Sequence, residues 1–469
     1  MKLTEKNTLA YVMLAAVIVL LIPFLVRFLF YNNIIIGDEP YYHATIARQI
    51  IEQKSLIQDS NYIFNPYHLV LASAGYFIGI ELASKLIPFL LGLLSAFIFY
   101  LIIKEFKMSI EERLFVLLIL IVSPAFIYLS VISNTNSVPV FLTLLGIYFL
   151  LKKKIIFTVL SLISFAAAVS FGIFNALLVV VLLFPYLIKE KSKKAIIFLF
   201  IIIIISAAFM PVYFQEKTEV IQKEGILQSS ISDFGALVGI GVFNILLAFI
   251  GFSLMWKKKK EHMFIFLPLL IMLISLFYLR VVIIYLSFVL AVFAGYAFTK
   301  IKNMDWEIKI IKNLTILLII CGLIFSTVSY LNRISNIQPD KEVIKSLDWL
   351  KHYSEPDEIV FSHYSKGFWI INVAERPVVT DKMLEYFPNA KERFNDSLEI
   401  FYSRNLKNTK LLIDKYNITY IWIDNEMKQG LVWEKEQQGL LFLFRNNETF
   451  KNIYNNQGIE IWEVKNGYN

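Results

Sequence analysis

Residues 8–30 read TLAYVMLAAVIVLLIPFLVRFLF, and residues 31–43, which follow at once, read YNNIIIGDEPYYH. An apolar run of about 17–25 residues is long enough to cross the hydrocarbon core of a bilayer as a helix. This run is longer than the apolar part of a secretory signal peptide, and its flanks hold few of the small residues that mark a cleavage site. The stretch therefore predicts a transmembrane span whose outer end opens into an acidic, aromatic loop.

Similar apolar runs recur along the first two thirds of the chain. Of the 469 residues, 57% are apolar and 17% are charged, whereas an average soluble chain has roughly 45–50% and about 25%. This composition excludes a disordered chain and an ordinary cytosolic enzyme, and the single cysteine excludes a disulfide framework. The sequence predicts a polytopic α-helical membrane protein with about eleven transmembrane helices. The candidate spans are 8–30, 82–103, 114–132, 137–151, 155–171, 173–188, 195–213, 234–256, 262–279, 281–299 and 313–331.

The basic residues indicate how these spans are oriented. The net charge is +8, but residues 333–469 carry 18 basic and 20 acidic residues, so the basic excess belongs to residues 1–332. If the N-terminus is cytoplasmic, 20 of the 27 basic residues of that part fall on the cytoplasmic side, as the positive-inside rule expects. The lysine clusters are then topology signals, and we expect no nucleic-acid partner. Eleven spans place the C-terminal region on the extracytoplasmic side of the cell membrane.

The chain divides into a transmembrane domain, residues 1–331, and an extracytoplasmic soluble domain, residues 332–469. The transmembrane domain has a large first external loop at 31–80 and a second polar external segment at 214–233. In the C-terminal part, helical periodicity alternates with short β-branched and aromatic runs, which predicts a small α/β domain. The predicted helices are 341–353 and 406–416, and the predicted strands are 358–361, 377–380, 418–424 and 459–464.

Asp38 and Glu39, two adjacent carboxylates, come directly after the first span. Ionisable groups at membrane depth are costly, so they usually mark a functional site. A structural explanation is equally compatible with the position, because an acidic residue before Pro40 can cap the N-terminus of a helix. Both interpretations stay open from the sequence alone.

The sequence from Gly37 to His43 resembles the first-loop motif of the GT-C glycosyltransferases, multi-span enzymes that take a sugar from a polyprenyl-phosphate carrier. The resemblance continues through NPYH at 65–68 and SPAF at 123–126. It implies a GT-C-like fold, an inverting transfer on the extracytoplasmic face, and catalytic roles for Asp38 and Glu39. It also implies that a polyprenyl-phosphate-linked sugar, membrane lipids and a glycan, lipid or protein acceptor are the partners.

Within this superfamily, the C-terminal part is most similar to the catalytic subunit of oligosaccharyltransferase and its archaeal relatives. FSHYSKGFWI at 361–370 falls where those proteins carry Trp-Trp-Asp-Tyr-Gly, and RPVVTD at 376–381 also resembles them. Of the five motif residues only Gly367 is kept, which argues against an asparagine acceptor. Asn134 and Asn136 stand where those proteins have acidic metal ligands, and amide oxygens alone bind hard cations weakly. We therefore expect chemistry without a tightly held metal ion and without a cofactor.

Further candidate residues have both a functional and a structural explanation. Arg280, at the outer end of a span, could bind the donor phosphate as in GT-C relatives or could extend to lipid headgroups. Asp233 resembles a residue of the second large external loop of oligosaccharyltransferases, where it would orient the acceptor, or it caps the next span. Tyr42, His43 and His68 are candidates for positioning the acceptor or substrate. The two histidines are otherwise polar residues of the interface, and they lack an evident third metal ligand in the sequence.

These features predict a membrane glycosyltransferase of the hexosyl or pentosyl type. The alternative from another class is a transporter or lipid flippase that uses Asp38, Asp233 and Arg280 as a charged path. The sequence shows no acidic residue in the middle of a span and no inverted repeat, which argues against that alternative. A divergent oligosaccharyltransferase is the second alternative. The sequence does not specify the sugar, the acceptor, the carrier length or the oligomeric state.

Overall fold

The structure, a computed structural model, describes residues 5–31, 35–53, 65–106, 108–152, 154–190, 193–208, 230–256, 263–279, 281–387, 389–435 and 437–465. Its first part is built from helices that run back and forth. These are α1 Glu5–Tyr31, α2 Glu39–Gln53, α3 Pro66–Ile78, α4 Ile80–Glu105, α5 Ile110–Ile121, α6 Pro124–Val131, α7 Ser137–Leu151, α8 Ile155–Val169, α9 Ile173–Glu190, α10 Lys193–Ala208, α11 Val242–Trp256, α12 Met263–Ser275, α13 Val282–Asn303 and α14 Lys309–Ser335.

Several of these helices have the length and composition of membrane spans. Among the described residues, α1, α4, α13 and α14 qualify, and α5 with α6 makes a fifth span if this pair, bent by 65°, crosses as one. The helices α7, α8, α9, α11 and α12 are apolar but shorter over their described residues. Each of the eleven predicted spans overlaps one of these helices or the bent pair. The structure thus gives a multi-pass helical protein, whereas the count of eleven spans stays a prediction.

The helices pack closely where small residues face a neighbour. A Cβ atom on Gly251 of α11 would lie 1.9 Å from the carbonyl oxygen of Phe293 in α13, so only glycine permits this approach. Gly295 of α13 meets the backbone of Val116 in α5 in the same way. Small residues at helix contacts are the usual means of packing in a membrane, where apolar burial drives association weakly. As a result α13 lies at the centre of the largest apolar core.

The C-terminal region contains the one four-stranded sheet among the described residues. Strand order is β1–β2–β4–β3, with β1 parallel to β2 and the other neighbours antiparallel. Two apolar cores lie on its faces. The elements are α15 Lys341–Tyr353, β1 Ile359–Phe361, the helical turns Tyr364–Lys366, Gly367–Trp369, Ile370–Ala374 and Leu384–Tyr386, α16 Ala390–Tyr402, α17 Leu406–Lys415, β2 Ile418–Ile423, the turn Met427–Leu431, α18 Gly439–Leu443, β3 Phe450–Asn456 and β4 Ile459–Val464.

Two features of the sheet differ from the prediction. The expected strand at 377–380 is reduced to a single parallel bridge between Val360 and Val378. Strand β3 was not predicted, because it is an edge strand paired only with β4 and its Lys451, Asn452 and Asn455 side chains are exposed or partly exposed. An edge strand with one solvated face carries too few apolar residues to be recognised from its pattern.

Helix α2 of the first external loop packs against the C-terminal region. Tyr41, Tyr42 and Ile46 share an apolar core with side chains of α15 and of the helical turns at 367–374. The amide of Asn372 donates hydrogen bonds to the Tyr41 carbonyl, at 3.2 Å, and to the Thr45 hydroxyl, at 3.0 Å. The first loop and the C-terminal region therefore form one packed unit, and this packing fixes the end of α2 that carries the two carboxylates.

Candidate functional site

The site begins at the turn between the first span and α2. Gly37 has a φ of +90°, a conformation that other residues rarely adopt, and it turns the chain sharply into Asp38. The Tyr41 N–H donates to the Asp38 carbonyl at 3.0 Å and closes the first turn of α2. Pro40 fits this first turn because its missing N–H has no helical partner there. The turn at Gly37 and the proline at position 40 thus place the carboxylates of Asp38 and Glu39 at the N-terminal end of a short helix.

The carboxylate of Asp38 forms an ion pair with a residue from the other end of the chain, Lys382. The Asp38 side chain is 21% exposed and that of Lys382 is 42% exposed. The Asp38 Oδ2 atom, which makes this pair, is itself closed off from solvent. Among the described residues no helix N–H bonds this carboxylate, so Asp38 does not act there as a side-chain cap.

Glu39 ends a chain of hydrogen bonds that runs through two buried histidines. Its Oε1 lies 3.4 Å from His43 Nε2, His43 Nδ1 lies 3.0 Å from His68 Nε2, and His68 Nδ1 lies 3.3 Å from the Asn65 backbone nitrogen. Because a backbone N–H can only donate, His68 Nδ1 is an acceptor and its proton is on Nε2. His68 then donates to His43, and His43 donates to Glu39. Burial keeps His68 neutral by lowering its pKa well below the usual range.

Tyr128 completes the contacts of Glu39 from the membrane side. Its hydroxyl donates to Glu39 Oε2 at 3.1 Å. Tyr128 lies in α6, which begins at Pro124 after a 65° bend from α5. Proline cannot continue the hydrogen-bond ladder of a helix and disfavours helical geometry at Ser123 before it, so the SPAF motif breaks the span here. The bend directs α6 toward the end of α2.

Aromatic side chains line the same region. Tyr42 lies 5.0 Å, between ring centroids, from Phe368 of the C-terminal region and packs edge-on against His68. Tyr67 is fully buried, and its hydroxyl lies 2.6 Å from the Ser133 hydroxyl. The two histidines are therefore held between aromatic rings with little access to water. This packing brings Tyr42, His43 and His68 together, while their role in positioning a substrate stays a prediction.

The loop at 133–137 does not form a set of metal ligands. The Asn134 amide donates to the Ile132 carbonyl at 2.6 Å, and its side-chain oxygen accepts the Asn136 N–H at 2.9 Å. Both ends of the amide thus serve the loop itself, and Ser133 is engaged with Tyr67. Across the part of the chain that the structure describes, no group of three or more His, Cys, Asp or Glu residues has the arrangement of a metal site.

The C-terminal segment that replaces the acceptor motif is occupied by its own ion pairs. The buried Lys366 ammonium lies 2.9 Å from the Asp424 carboxylate, also pairs with Glu426, and sits over the ring of Trp369. Burial, with the nearby Lys366 charge, lowers the pKa of His363 to about 4, so this histidine is neutral near pH 7. The segment at 361–370 itself contains no Asp or Glu, and the carboxylates nearest to Lys366 come from 424 and 426.

Asp381 is the buried carboxyl of the RPVVTD segment, directly before Lys382. Its Oδ1 accepts the Met383 N–H at 2.7 Å, and its Oδ2 has no hydrogen-bond partner among the described residues. Burial raises the pKa of Asp381 to about 7. A Cβ atom on Gly367 would lie 2.6 Å from the Asp381 Cβ, so this close approach of the two segments requires glycine.

The other predicted site residues lie apart from this cluster or outside the description. Asp233 accepts the Val242 N–H at 2.6 Å and so caps α11. Arg280 lies outside the described residues. Sequence reasoning missed Lys382 and Tyr128, because both reach the carboxylates through contacts between distant segments. The sequence indicates these two residues only by their position: Lys382 directly follows the RPVVTD motif and Tyr128 lies two residues after the SPAF motif. Both motifs belong to the family resemblance.

Solved structures share this architecture, although no protein-family model and no curated protein matches the sequence. The apo oligosaccharyltransferase from Archaeoglobus fulgidus aligns over 97% of this chain and 75% of its own length, at 15% identity and a TM-score of 0.61. AglB from the same organism, in complex with an inhibitory peptide and a dolichol-phosphate, aligns over 98% and 74%, at 14% identity and a TM-score of 0.60.

A second kind of enzyme aligns equally well. ArnT from Cupriavidus metallidurans, bound to undecaprenyl phosphate, aligns over 97% of this chain and 98% of its own length, at 9% identity and a TM-score of 0.61. Both oligosaccharyltransferase and ArnT are GT-C glycosyltransferases. At such low identity the likeness concerns the fold. The chain therefore has the fold of the GT-C membrane glycosyltransferases, as the resemblance in its motifs predicted.

Proposed function

We propose that this protein is a glycosyltransferase that moves a sugar from a polyprenyl-phosphate donor to an acceptor hydroxyl on the extracytoplasmic face of the membrane. The observation that carries this proposal is the position of the Asp38 carboxylate. It follows the first span of a GT-C fold, pairs with Lys382, and is adjacent in sequence to Glu39, which the two histidines hold. The orientation, with a cytoplasmic N-terminus, follows from the distribution of basic residues.

The reaction is a direct displacement with inversion. The acceptor oxygen forms a new bond to the anomeric carbon while its proton passes to the Asp38 carboxylate as general base. The bond between the anomeric carbon and the phosphate oxygen breaks, and its electron pair leaves with the polyprenyl phosphate. Protonated Asp38 then returns its proton to solvent, so atoms and charge balance over the cycle.

The neighbouring residues have supporting roles in this proposal. Glu39 accepts hydrogen bonds from Tyr128 and His43, which hold it in place to bind acceptor hydroxyls. His43 and His68 fix Glu39, and Tyr42 positions His68 by packing between it and Phe368. Arg280 would stabilise the departing phosphate through paired hydrogen bonds. Asp233 is given no part in the reaction, because its carboxylate accepts the Val242 N–H.

We further propose that the reaction needs no tightly held metal ion. The loop around Asn134 uses its amide for internal hydrogen bonds, and the Asp38 carboxylate is paired with an ammonium. A monophosphate leaving group carries less charge than a pyrophosphate and can be stabilised by basic side chains. The C-terminal domain, residues 332–469, would contribute to acceptor choice, since its helical turns at 367–374 pack on α2.

The test is sugar transfer by the purified protein in nanodiscs from radiolabelled polyprenyl-phosphate donors, with donor hydrolysis counted as turnover. Wild type and Asp38→Asn are compared, each with and without EDTA. We expect turnover that survives EDTA and is lost in Asp38→Asn. Absence of turnover with every donor, combined with donor movement across liposomes, would replace this proposal with the transporter. Transfer to a sequon peptide that requires a divalent cation would favour the divergent oligosaccharyltransferase.

A further inference from the structure

The contact between Lys382 and Asp38 joins two parts of the chain that are 344 residues apart. It brings a cation from the C-terminal region to the carboxylate that the proposed function uses as its base. Exposed ion pairs of this kind contribute little to stability, because solvent screens them and ordering the long side chain opposes them. A role in stability is therefore a weak explanation for this lysine.

The backbone that carries Lys382 is firmly held. Arg376 donates to the Ser354 hydroxyl at 2.8 Å and to the Lys351 carbonyl at 2.7 Å, and it also bonds the carbonyls of Ala374 and Glu375. On the other side, the Asp381 carboxylate accepts the Met383 N–H. The backbone is thus held before Lys382 by the contacts of Arg376 and next to it by the contact between Asp381 and Met383.

The Lys382 side chain, in contrast, is half-exposed and sits on a flexible four-carbon stem. The ammonium can therefore stay near Asp38 and still turn toward a second anion. A phosphate leaving group is such an anion, and a nearby cation stabilises the negative charge that develops on it as it leaves the anomeric carbon. In a displacement with inversion the phosphate leaves on the face opposite the attacking oxygen, so the Lys382 side chain has to swing away from Asp38 to reach it.

We infer that Lys382 is a residue of the catalytic site, whose ammonium holds Asp38 before the donor binds and contacts the donor phosphate when it is present. This inference rests on the proposed function and assigns that site a phosphate-binding residue from the C-terminal region. When the phosphate draws the ammonium away, the Asp38 carboxylate is released to accept the proton. Through the Lys382 side chain, binding of the donor would therefore free the Asp38 carboxylate to act as the base.

The experiment measures the dissociation constant of polyprenyl monophosphate for the full-length protein in nanodiscs. Lys382→Met should weaken binding about tenfold, the loss expected for one charge-assisted contact, whereas Lys382→Arg should stay within about threefold of wild type. The matched control is Glu375→Gln, which breaks the ion pairs of Glu375 with Arg48 and Lys351 at the same interface but away from Asp38. It should bind like wild type.

A second measurement on the wild type does not depend on any variant folding. Labelling by an amine-reactive reagent, read by mass spectrometry, should fall at Lys382 when polyprenyl monophosphate is added. Lys415 is the internal control, because it is 41% exposed and also paired with carboxylates, yet belongs to a different surface. Its labelling should not change.

The outcomes separate the two proposals. If the wild type transfers sugar but Lys382→Met binds polyprenyl phosphate normally and Lys382 labelling is unchanged, the inference about Lys382 is wrong and the proposed function stands. Equal weakening by Glu375→Gln would show that the pair is only a tether between α2 and the C-terminal region. If the wild type binds polyprenyl phosphate no better than uncharged polyprenol and has no turnover, both proposals fail.

Discussion

Asp38 and Asp233 are both aspartates that precede a helix at the predicted outer surface, yet the structure surrounds them differently. Asp38 is partly buried, pairs with a lysine from the C-terminal region and lies beside a glutamate held by buried histidines. Asp233 is exposed, and its carboxylate accepts the Val242 N–H of the following helix. Its segment is held by Arg333 and Tyr330, which bond backbone carbonyls between 232 and 237.

The difference shows that an acidic residue before a helix is not enough to identify a catalytic group. At Asp233 the carboxylate satisfies a backbone donor that the helix leaves open, which is the ordinary role of a cap. At Asp38 no described helix N–H uses the carboxylate, which pairs instead with the Lys382 side chain, and this leaves room for the catalytic role that we propose. The partners of the carboxylate, and not its position in the sequence, distinguish the two roles.

The strongest test of the difference between Asp38 and Asp233 is to neutralise each aspartate in turn. Asp38→Asn should lower turnover about 10³-fold, within the range for loss of a general base, because the amide cannot accept the acceptor proton. Asp233→Asn should keep turnover within about threefold of wild type, since an asparagine oxygen still accepts the Val242 N–H. The measurement is the rate of radiolabelled sugar transfer at saturating donor. A similar loss in both variants would remove the distinction between them.

A third carboxylate, Asp381, extends the comparison to full burial. Its pKa, raised to about 7 by burial, lies above that of an unfolded aspartate, near 3.9. Between about pH 4 and pH 7 the unfolded chain loses this proton while the folded chain keeps it, so stability falls as pH rises through that window. At pH 8 the penalty reaches up to about 4 kcal/mol of unfolding free energy.

Asp381→Asn should therefore flatten the decline of the apparent unfolding temperature between pH 4 and pH 8. The control is Asp396→Asn, which should act in the opposite sense. Although partial burial opposes it, hydrogen bonds from Lys415 and Tyr416 hold the pKa of Asp396 below its usual range. Loss of this carboxylate should lower stability at neutral pH and have little effect below pH 3. Parallel curves for wild type and Asp381→Asn would show that Asp381 ionises normally.

Much of the membrane architecture was predictable, because a bilayer imposes long apolar runs that are visible in the sequence. Every predicted span overlaps a helix or the bent pair, although the count of eleven spans stays a prediction. The C-terminal sheet was predicted only where apolar residues dominate, as in β2 and β4, and its polar edge strand was missed. The contact between Glu39 and His43 was also predictable from the sequence, since residues four apart lie on the same face of a helix.

The rest of the site depends on contacts that no local pattern records. Lys382 meets Asp38 only because α2 packs on the C-terminal region, and Tyr128 meets Glu39 only because α6 bends away from α5. The His43–His68 contact requires α3 to lie against α2, after a stretch of the first loop that separates them in sequence. Long-range packing therefore determines which of the candidate residues form one site.

The histidine chain offers a finer test of the site around Asp38. His43→Phe should lower kcat about tenfold, as expected for one lost hydrogen bond to a charged carboxylate, because Glu39 is no longer held. His43→Gln keeps an N–H donor at a similar reach and should recover kcat to within about threefold of wild type. The measurement is kcat and KM for the donor, with the unfolding temperature recorded for each variant. Equal kcat in both variants would assign His43 a packing role.

The smallest expected effect concerns stability, and here the order of the two aspartates is the reverse of that for turnover. Asp233→Ala should lower the unfolding free energy by about 1 kcal/mol, the usual cost of removing a helix cap, because the Val242 N–H loses its acceptor. Asp38→Ala should change stability by less, since its carboxylate bonds no helix N–H among the described residues and its ion pair is partly exposed. Denaturant titration of both variants in the same detergent measures the difference. A larger loss of stability for Asp38→Ala than for Asp233→Ala would mean that Asp38 acts mainly in the structure. Glu39 would then be the remaining candidate for the catalytic carboxylate, because Tyr128 and His43 hold it in place without a contact from Asp38 or Asp233.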